Sequence, residues 1–151
     1  MRRFRRVAVL VPALALAACQ ESAAPITDLD ALQLSVSVSP ATVTAGTPAD
    51  IRLTIANPTM RTIEFQACPI YYWVDDSETG ALVAGSRSIG CYAGSSVYNP
   101  IFLEPFESKV FTWRWTETAG VPAGRYRAYG WIDWEPRVSA PVGVEVVAAG
   151  Q

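Results

Sequence analysis

The chain contains no histidine. That absence excludes Ser-His-Asp and Cys-His nucleophilic sites, His-based zinc centres and the usual general base near neutral pH. Catalysis would have to rest on carboxylate pairs such as Asp75 with Asp76 or Asp133 with Glu135. Neighbours along a chain are no evidence of a shared pocket, so no catalytic residue, metal or cofactor is expected and the chain reads as a non-enzyme. Cysteine is scarce as well: there are three, and none stands in a Cys-x-x-Cys arrangement. No stretch holds a helical hydrophobic period over three turns. The acids of Asp75-Asp76-Ser77-Glu78-Thr79-Gly80 lack the ligand spacing and closing Glu of a calcium loop and read as a hairpin turn.

What is present begins with an unusual N-terminus. Met1-Arg2-Arg3-Phe4-Arg5-Arg6 carries four positive charges and no acid, and Val7 to Ala18 then runs uncharged. Twelve residues fall short of the roughly 20 that a bilayer span needs, so residues 1–18 read as a secretory signal. Ala15-Leu16-Ala17 would suit an ordinary signal peptidase. Leu16-Ala17-Ala18-Cys19 resembles the lipobox of bacterial lipoproteins: a branched apolar residue, two small residues and a Cys. The resemblance implies a diacylglyceryl group on the Cys19 thiol, cleavage just before it and acylation of the new N-terminus. Two or more acyl chains hold a protein stably at a membrane where one does not. Gln20 in place of Asp after the Cys favours, by the same resemblance, the outer membrane facing the periplasm over inner-membrane retention.

Removing residues 1–18 leaves 8 basic against 14 acidic residues, a net charge of −6. That balance argues against nucleic acid as a partner. With Cys19 taken by lipid, Cys68 and Cys91 remain in an oxidising compartment, and an even pair there reads as one disulfide. Such a bridge would contribute about 3 kcal/mol in the chain-entropy model. Two free buried thiols and a redox pair are the competing readings. Cys19 to Ala31 is polar, Ala- and Pro-interrupted and aperiodic, so it is expected to be a tether with an r.m.s. reach of about 18 Å.

Residues 32–148 are expected to form one all-β domain. Leu32, Leu34, Val36 and Val38 alternate with polar residues until Pro40. The period of two returns at Ile51, Leu53 and Ile55, and Asn57-Pro58-Thr59 breaks it. Further strands are expected at Ile63–Phe65, Ile70–Val74, Ala81–Ala84, Ile101–Leu103, Val110–Trp115, Arg125–Trp134 and Val138–Val147. Gly85 to Pro100 reads as the least regular loop. Some eight short strands separated by turn signals predict an antiparallel β-sandwich of immunoglobulin type.

The order of elements over residues 32–134 resembles the intracellular proteinase inhibitor (BsuPI) family. The likeness is carried by Ala45-Gly46-Thr47-Pro48, Asn57-Pro58-Thr59, Ile63-Glu64-Phe65, Val74-Asp75-Asp76 with Thr79-Gly80, Leu103-Glu104-Pro105, Phe111-Thr112-Trp113-Arg114-Trp115 and Val121-Pro122-Ala123-Gly124-Arg125-Tyr126. It implies an immunoglobulin-like sandwich, and the family's name suggests protease inhibition. Gly124-Arg125-Tyr126 also suits a tyrosine corner, with Tyr126 bonding back to the chain.

Two candidate surfaces follow. If Tyr126, Ala128 and Ile132 face the core, Tyr129 and Trp131 face outward with Arg127 alongside. Such a group suits an anchor for a partner protein or a stacking platform for a glycan. The competing reading is a neighbouring segment that covers them, or a bulge at Gly130 that shifts the phase. The second surface is the Gly85–Pro100 loop, where Arg87, Ser88 and Tyr92 beside Cys91 would suit a stiffened protease-binding loop, against an ordinary stapled one. The expected function is therefore binding at the cell envelope, through a lipid anchor on Cys19.

Overall fold

The computed structural model describes residues 28–66, 70–87, 100–132 and 137–150. Cys19, Cys68, Ser88, Cys91, Tyr92, Asp133 and Glu135 lie outside the described residues, as does the signal segment. No described helix is long and apolar enough to cross a membrane.

The period-two segments pair across the chain into three ladders. β1 (Gln33–Ser39) runs antiparallel to β3 (Ala49–Ala56), with Gln33 opposite Ala56 and Ser39 opposite Asp50. β3 in turn pairs with β8 (Ser108–Trp115), from Ala49 opposite Trp115 to Ala56 opposite Ser108. These three strands form the first sheet. The second runs in the order β2 (Thr42–Thr44), β11 (Val142–Val147), β9 (Gly124–Ile132), β5 (Ile70–Asp76), β6 (Leu82–Arg87), with β10 (Arg137–Val138) beside the end of β9. A two-stranded ladder of β4 (Ile63–Gln66) and β7 (Pro100–Leu103) completes the set.

Alternation decides which residues meet between the sheets. Ile51, Leu53, Ile55, Trp113 and Trp115 from the first sheet are buried against Ile70, Tyr72, Val74, Tyr126, Ala128 and Ile132 from the second. Burying each large apolar side chain contributes about 1.5–3 kcal/mol, so this interface holds the domain together. The result is an all-β antiparallel sandwich, with one parallel pair where β2 lies beside β11. The chain changes sheets at Pro40, between β1 in the first sheet and β2 in the second. That crossing, the pairing of β9 with both β11 and β5, and the corner before β9 are immunoglobulin-like. At the corner the Tyr126 hydroxyl donates to the Pro122 carbonyl at 2.7 Å. Burial pushes the Tyr126 phenol up, and Asp76 adds to the effect.

Several expectations change. Thr42–Thr44 is a strand of its own, and the last expected strand is two, separated by Ser139-Ala140-Pro141. Gly85, Ser86 and Arg87 are the end of β6 and not loop. The packed domain starts before Leu32: Leu29–Ala31 forms a 3-10 turn, and Leu29 is buried. Asp30 pairs with Arg137, whose guanidinium also donates to the Leu32 carbonyl at 2.8 Å. Gly130 makes no bulge, because β9 and β5 pair without interruption from Ile132–Ile70 to Tyr126–Asp76. Its missing side chain serves the sheet contact: a Cβ there would lie 2.4 Å from Leu53 Cδ1.

Candidate functional site

Because β9 pairs in unbroken register with β5, its outward residues stand beside those of β5. Trp131 is opposite Tyr71, Tyr129 opposite Trp73, and Arg127 opposite Asp75. Tyr126, Ala128 and Ile132 are buried on the other side, as the alternation predicts, and the outward residues are half-buried. Four aromatic rings and one ion pair therefore share the outer face of the second sheet.

The rings hold one another. The centroids of Trp73 and Trp131 are 5.0 Å apart, with the planes at 80°. Trp73 and Tyr129 are 5.3 Å apart at 33°, and Tyr71 and Trp131 are 6.0 Å apart at 46°. Offset and edge-to-face contacts of this kind are favoured by the ring quadrupoles and add about 0.5–1.5 kcal/mol per pair beyond area burial. The angles also mean that the cluster is a locked ridge and not a flat platform. The Trp131 Nε1 is shielded from solvent and has no acceptor among the described residues, so this indole offers apolar area and not a hydrogen bond.

The ion pair closes one end of the ridge. Arg127 Nε donates to Asp75 Oδ1 at 3.0 Å and Nη2 to Oδ2 at 3.2 Å. The Asp75 side chain is only 14% exposed, against 39% for Arg127. The hydrogen bond to Asp75 raises the Arg127 guanidinium above its ordinary value, so it stays charged throughout the working pH range. Its guanidinium carbon lies 5.9 Å from the Tyr129 ring centroid, within cation–π range. On the flank beside Trp73, β6 carries Gly85, where the nearest neighbours of an added Cβ would be the Tyr72 carbonyl oxygen and the Trp73 Cβ.

Asp75 and Asp76 do not act as a pair. Asp76 Oδ1 accepts from the Thr79 and Glu78 amides at 2.8 and 2.9 Å and from the Thr79 hydroxyl at 3.0 Å. These bonds, the Thr79 amide first, lower the Asp76 carboxyl below its ordinary value. The acidic run is thus a hydrogen-bonded turn. Among the described residues no group of three His, Cys, Asp or Glu side chains converges that could hold a metal ion.

Sequence reasoning named Tyr129, Trp131 and Arg127, and β9 does bring them to one face. It missed Tyr71, Trp73 and Asp75, which complete the cluster. The partial signal for them was the aromatic run Tyr71-Tyr72-Trp73, whose phase is unreadable because both of its faces are aromatic. Arg87 ends β6 opposite Tyr71.

No family model matches the chain, and no curated protein matches it in sequence. Among solved structures, it is similar to part of the alkylpurine DNA glycosylase AlkC of Pseudomonas fluorescens bound to DNA containing an abasic site analog. That likeness has a TM-score of 0.51 and 11% identity, covering 78% of this chain and 31% of that one. The sporulation control protein of Bacillus subtilis matches with a TM-score of 0.50 and 9% identity, over 80% of this chain and 50% of that one. A β-glucosidase from Listeria innocua in complex with glucose matches at 0.45 and 17% identity, and the chain spans 16% of that protein's length. The first two likenesses concern the fold alone.

Proposed function

We propose that this chain is a lipid-anchored protein of the bacterial cell envelope whose domain binds a partner protein through the outer face of β5 and β9. The anchor is Cys19, and the favoured location is the outer membrane, facing the periplasm. The observation that carries the binding reading is the ridge of Tyr71, Trp73, Tyr129 and Trp131, half-buried and interlocked on a sheet face.

Rings already fixed by their neighbours lose little rotamer freedom when a partner covers them, which is the property of interface hot spots. The polar Asp75–Arg127 pair at the end of the ridge supplies a rim and directional contacts. A glycan platform needs a ring face presented flat, and the 80° angle between Trp73 and Trp131 weighs against that reading. The domain works by binding and not by catalysis.

The test is affinity capture from envelope extracts with wild-type and Trp131→Ala protein, alongside thermal unfolding. Loss of the partner with a nearly unchanged melting temperature supports the binding face. Unfolding of Trp131→Ala, or capture unaffected by it, assigns the ring a packing role instead.

A further inference from the structure

Strand register fixes which end of the sandwich the N-terminal segment reaches. Gln33 is opposite Ala56, and Ala56 is opposite Ser108. The chain therefore enters beside the 57–62 loop that follows β3 and the 104–107 turn that precedes β8. Those two segments are tied to each other. Asn57 Nδ2 donates to the Arg61, Leu103 and Glu104 carbonyls at 2.7, 2.9 and 3.0 Å, and the Thr62 hydroxyl donates to Glu104 Oε2 at 3.0 Å.

This end carries the most exposed large apolar side chain among the described residues, Met60 at 83%, together with Phe106 at 69%; Leu82, also at 69%, stands alone at the far end. Phe106 is more than exposed. Its φ of 63° lies in the left-handed region, which disfavours a bulky side chain and which glycine adopts freely. The Glu104 and Glu107 carboxylates turn back into the local structure, Glu104 onto Thr62 and Glu107 Oε2 onto the Glu104 amide at 2.8 Å. Lys109, the second residue of β8, follows Phe106 by three positions and is exposed.

We propose that this end of the domain rests on the lipid surface, with Met60 and Phe106 inserted at the headgroup level. The inference rests on the anchoring reading of Cys19. Leu29 lies ten positions after Cys19, so even fully extended the chain between them spans at most about 35 Å. The chain from the anchor thus enters the domain at the Met60 and Phe106 end, and the turn at Ser77–Gly80 lies at the opposite end of β5. Apolar tips of this kind gain by leaving water for the interface, and Lys109 suits a headgroup phosphate.

Met60 is the sole methionine besides Met1, which gives a clean probe. The full chain, purified from membranes, is reconstituted into vesicles of phosphatidylethanolamine and phosphatidylglycerol and treated with hydrogen peroxide. Sulfoxide formation is followed by mass spectrometry and compared with that of Cys19→Ser protein free in buffer. A Leu82→Met variant supplies a reference at the far end. The expected result is that Met60 oxidises at least about fivefold more slowly on vesicles, while the far-end methionine does not change, as burial at an apolar interface requires. Phe106→Ser should remove most of that protection. Lipidated, vesicle-bound protein with unprotected Met60 overturns this proposal alone. Intact mass without lipid on Cys19 overturns the anchoring reading and this proposal together.

Discussion

Trp131 stands edge-on against Trp73, with ring centroids 5.0 Å apart, although the two residues are 58 positions apart in the chain. The contact exists because β9 and β5 pair in unbroken register on the sheet's outer face. If the ridge is a pre-locked unit, the two rings depend on each other. A double-mutant cycle of Trp73→Ala and Trp131→Ala, read by urea unfolding, should give a coupling of about 0.5–1.5 kcal/mol. Additive losses would mean that the rings are independent surface residues.

Gly130 on the second sheet packs directly against Leu53 on the first. A Cβ at position 130 would lie within 3.0 Å of three Leu53 side-chain atoms. Gly130→Ala should therefore destabilise by about 1–3 kcal/mol through overpacking. Combined with Leu53→Ala, which vacates that space, the two losses should sum to clearly more than the loss of the double variant. Strict additivity in denaturant unfolding would contradict the packing account.

Asn57 is 1% exposed and uses both ends of its amide. Besides its three donated bonds, its Oδ1 accepts from the Thr59 amide at 2.9 Å and the Thr59 hydroxyl at 2.7 Å. Asn57→Ala strands buried carbonyls and should cost about 3 kcal/mol or more. Asn57→Asp, which turns the donor into a second acceptor facing the Leu103 and Glu104 carbonyls, should be no better. A stable Asn57→Asp variant in thermal unfolding would refute the role of this side chain as the tie between the two loops.

The Asp76 turn makes a pH-dependent prediction. Its carboxyl is depressed in the folded state by hydrogen bonds from Thr79 and Glu78. The stability it contributes is fully present above the unfolded value of about 3.9 and is lost as pH falls through the lower folded value. Asp76→Asn retains an Oδ1 acceptor but not the charge. It should be less stable than wild type at pH 7, with the gap closing as the pH is lowered below about 4. Unfolding midpoints at pH 7 and pH 3 that show a constant gap would contradict this.

The sequence made some of this legible for physical reasons. In β3 and β9 one apolar face alternates with a polar or mixed face, so Ile51, Leu53, Ile55, Tyr126, Ala128 and Ile132 could be assigned to the core. The outward direction of Tyr129 and Trp131 followed from the same phase. β2 was not legible, because three residues carry too little period and its partner, β11, lies about a hundred residues away. The partners of the candidate residues were hidden for the same reason. Nothing local says that Asp75 meets Arg127 across 52 residues, or that a strand aromatic on both faces turns Trp73 outward. Gly130 was ambiguous, since a glycine in a strand signals either a bulge or a close approach. Only the position of Leu53 on the facing sheet decides between them.

If the outer face of β5 and β9 binds a partner protein, that partner lies within reach of Tyr129 in the cell. A photo-crosslinking amino acid at Tyr129, activated in living cells, tests it directly, with the same substitution at Thr112 on the outer face of the opposite sheet as the reference. The predicted result is a discrete adduct with one protein at position 129, identified by mass spectrometry and absent at position 112. No adduct at 129, or the same set of adducts at both positions, would contradict it.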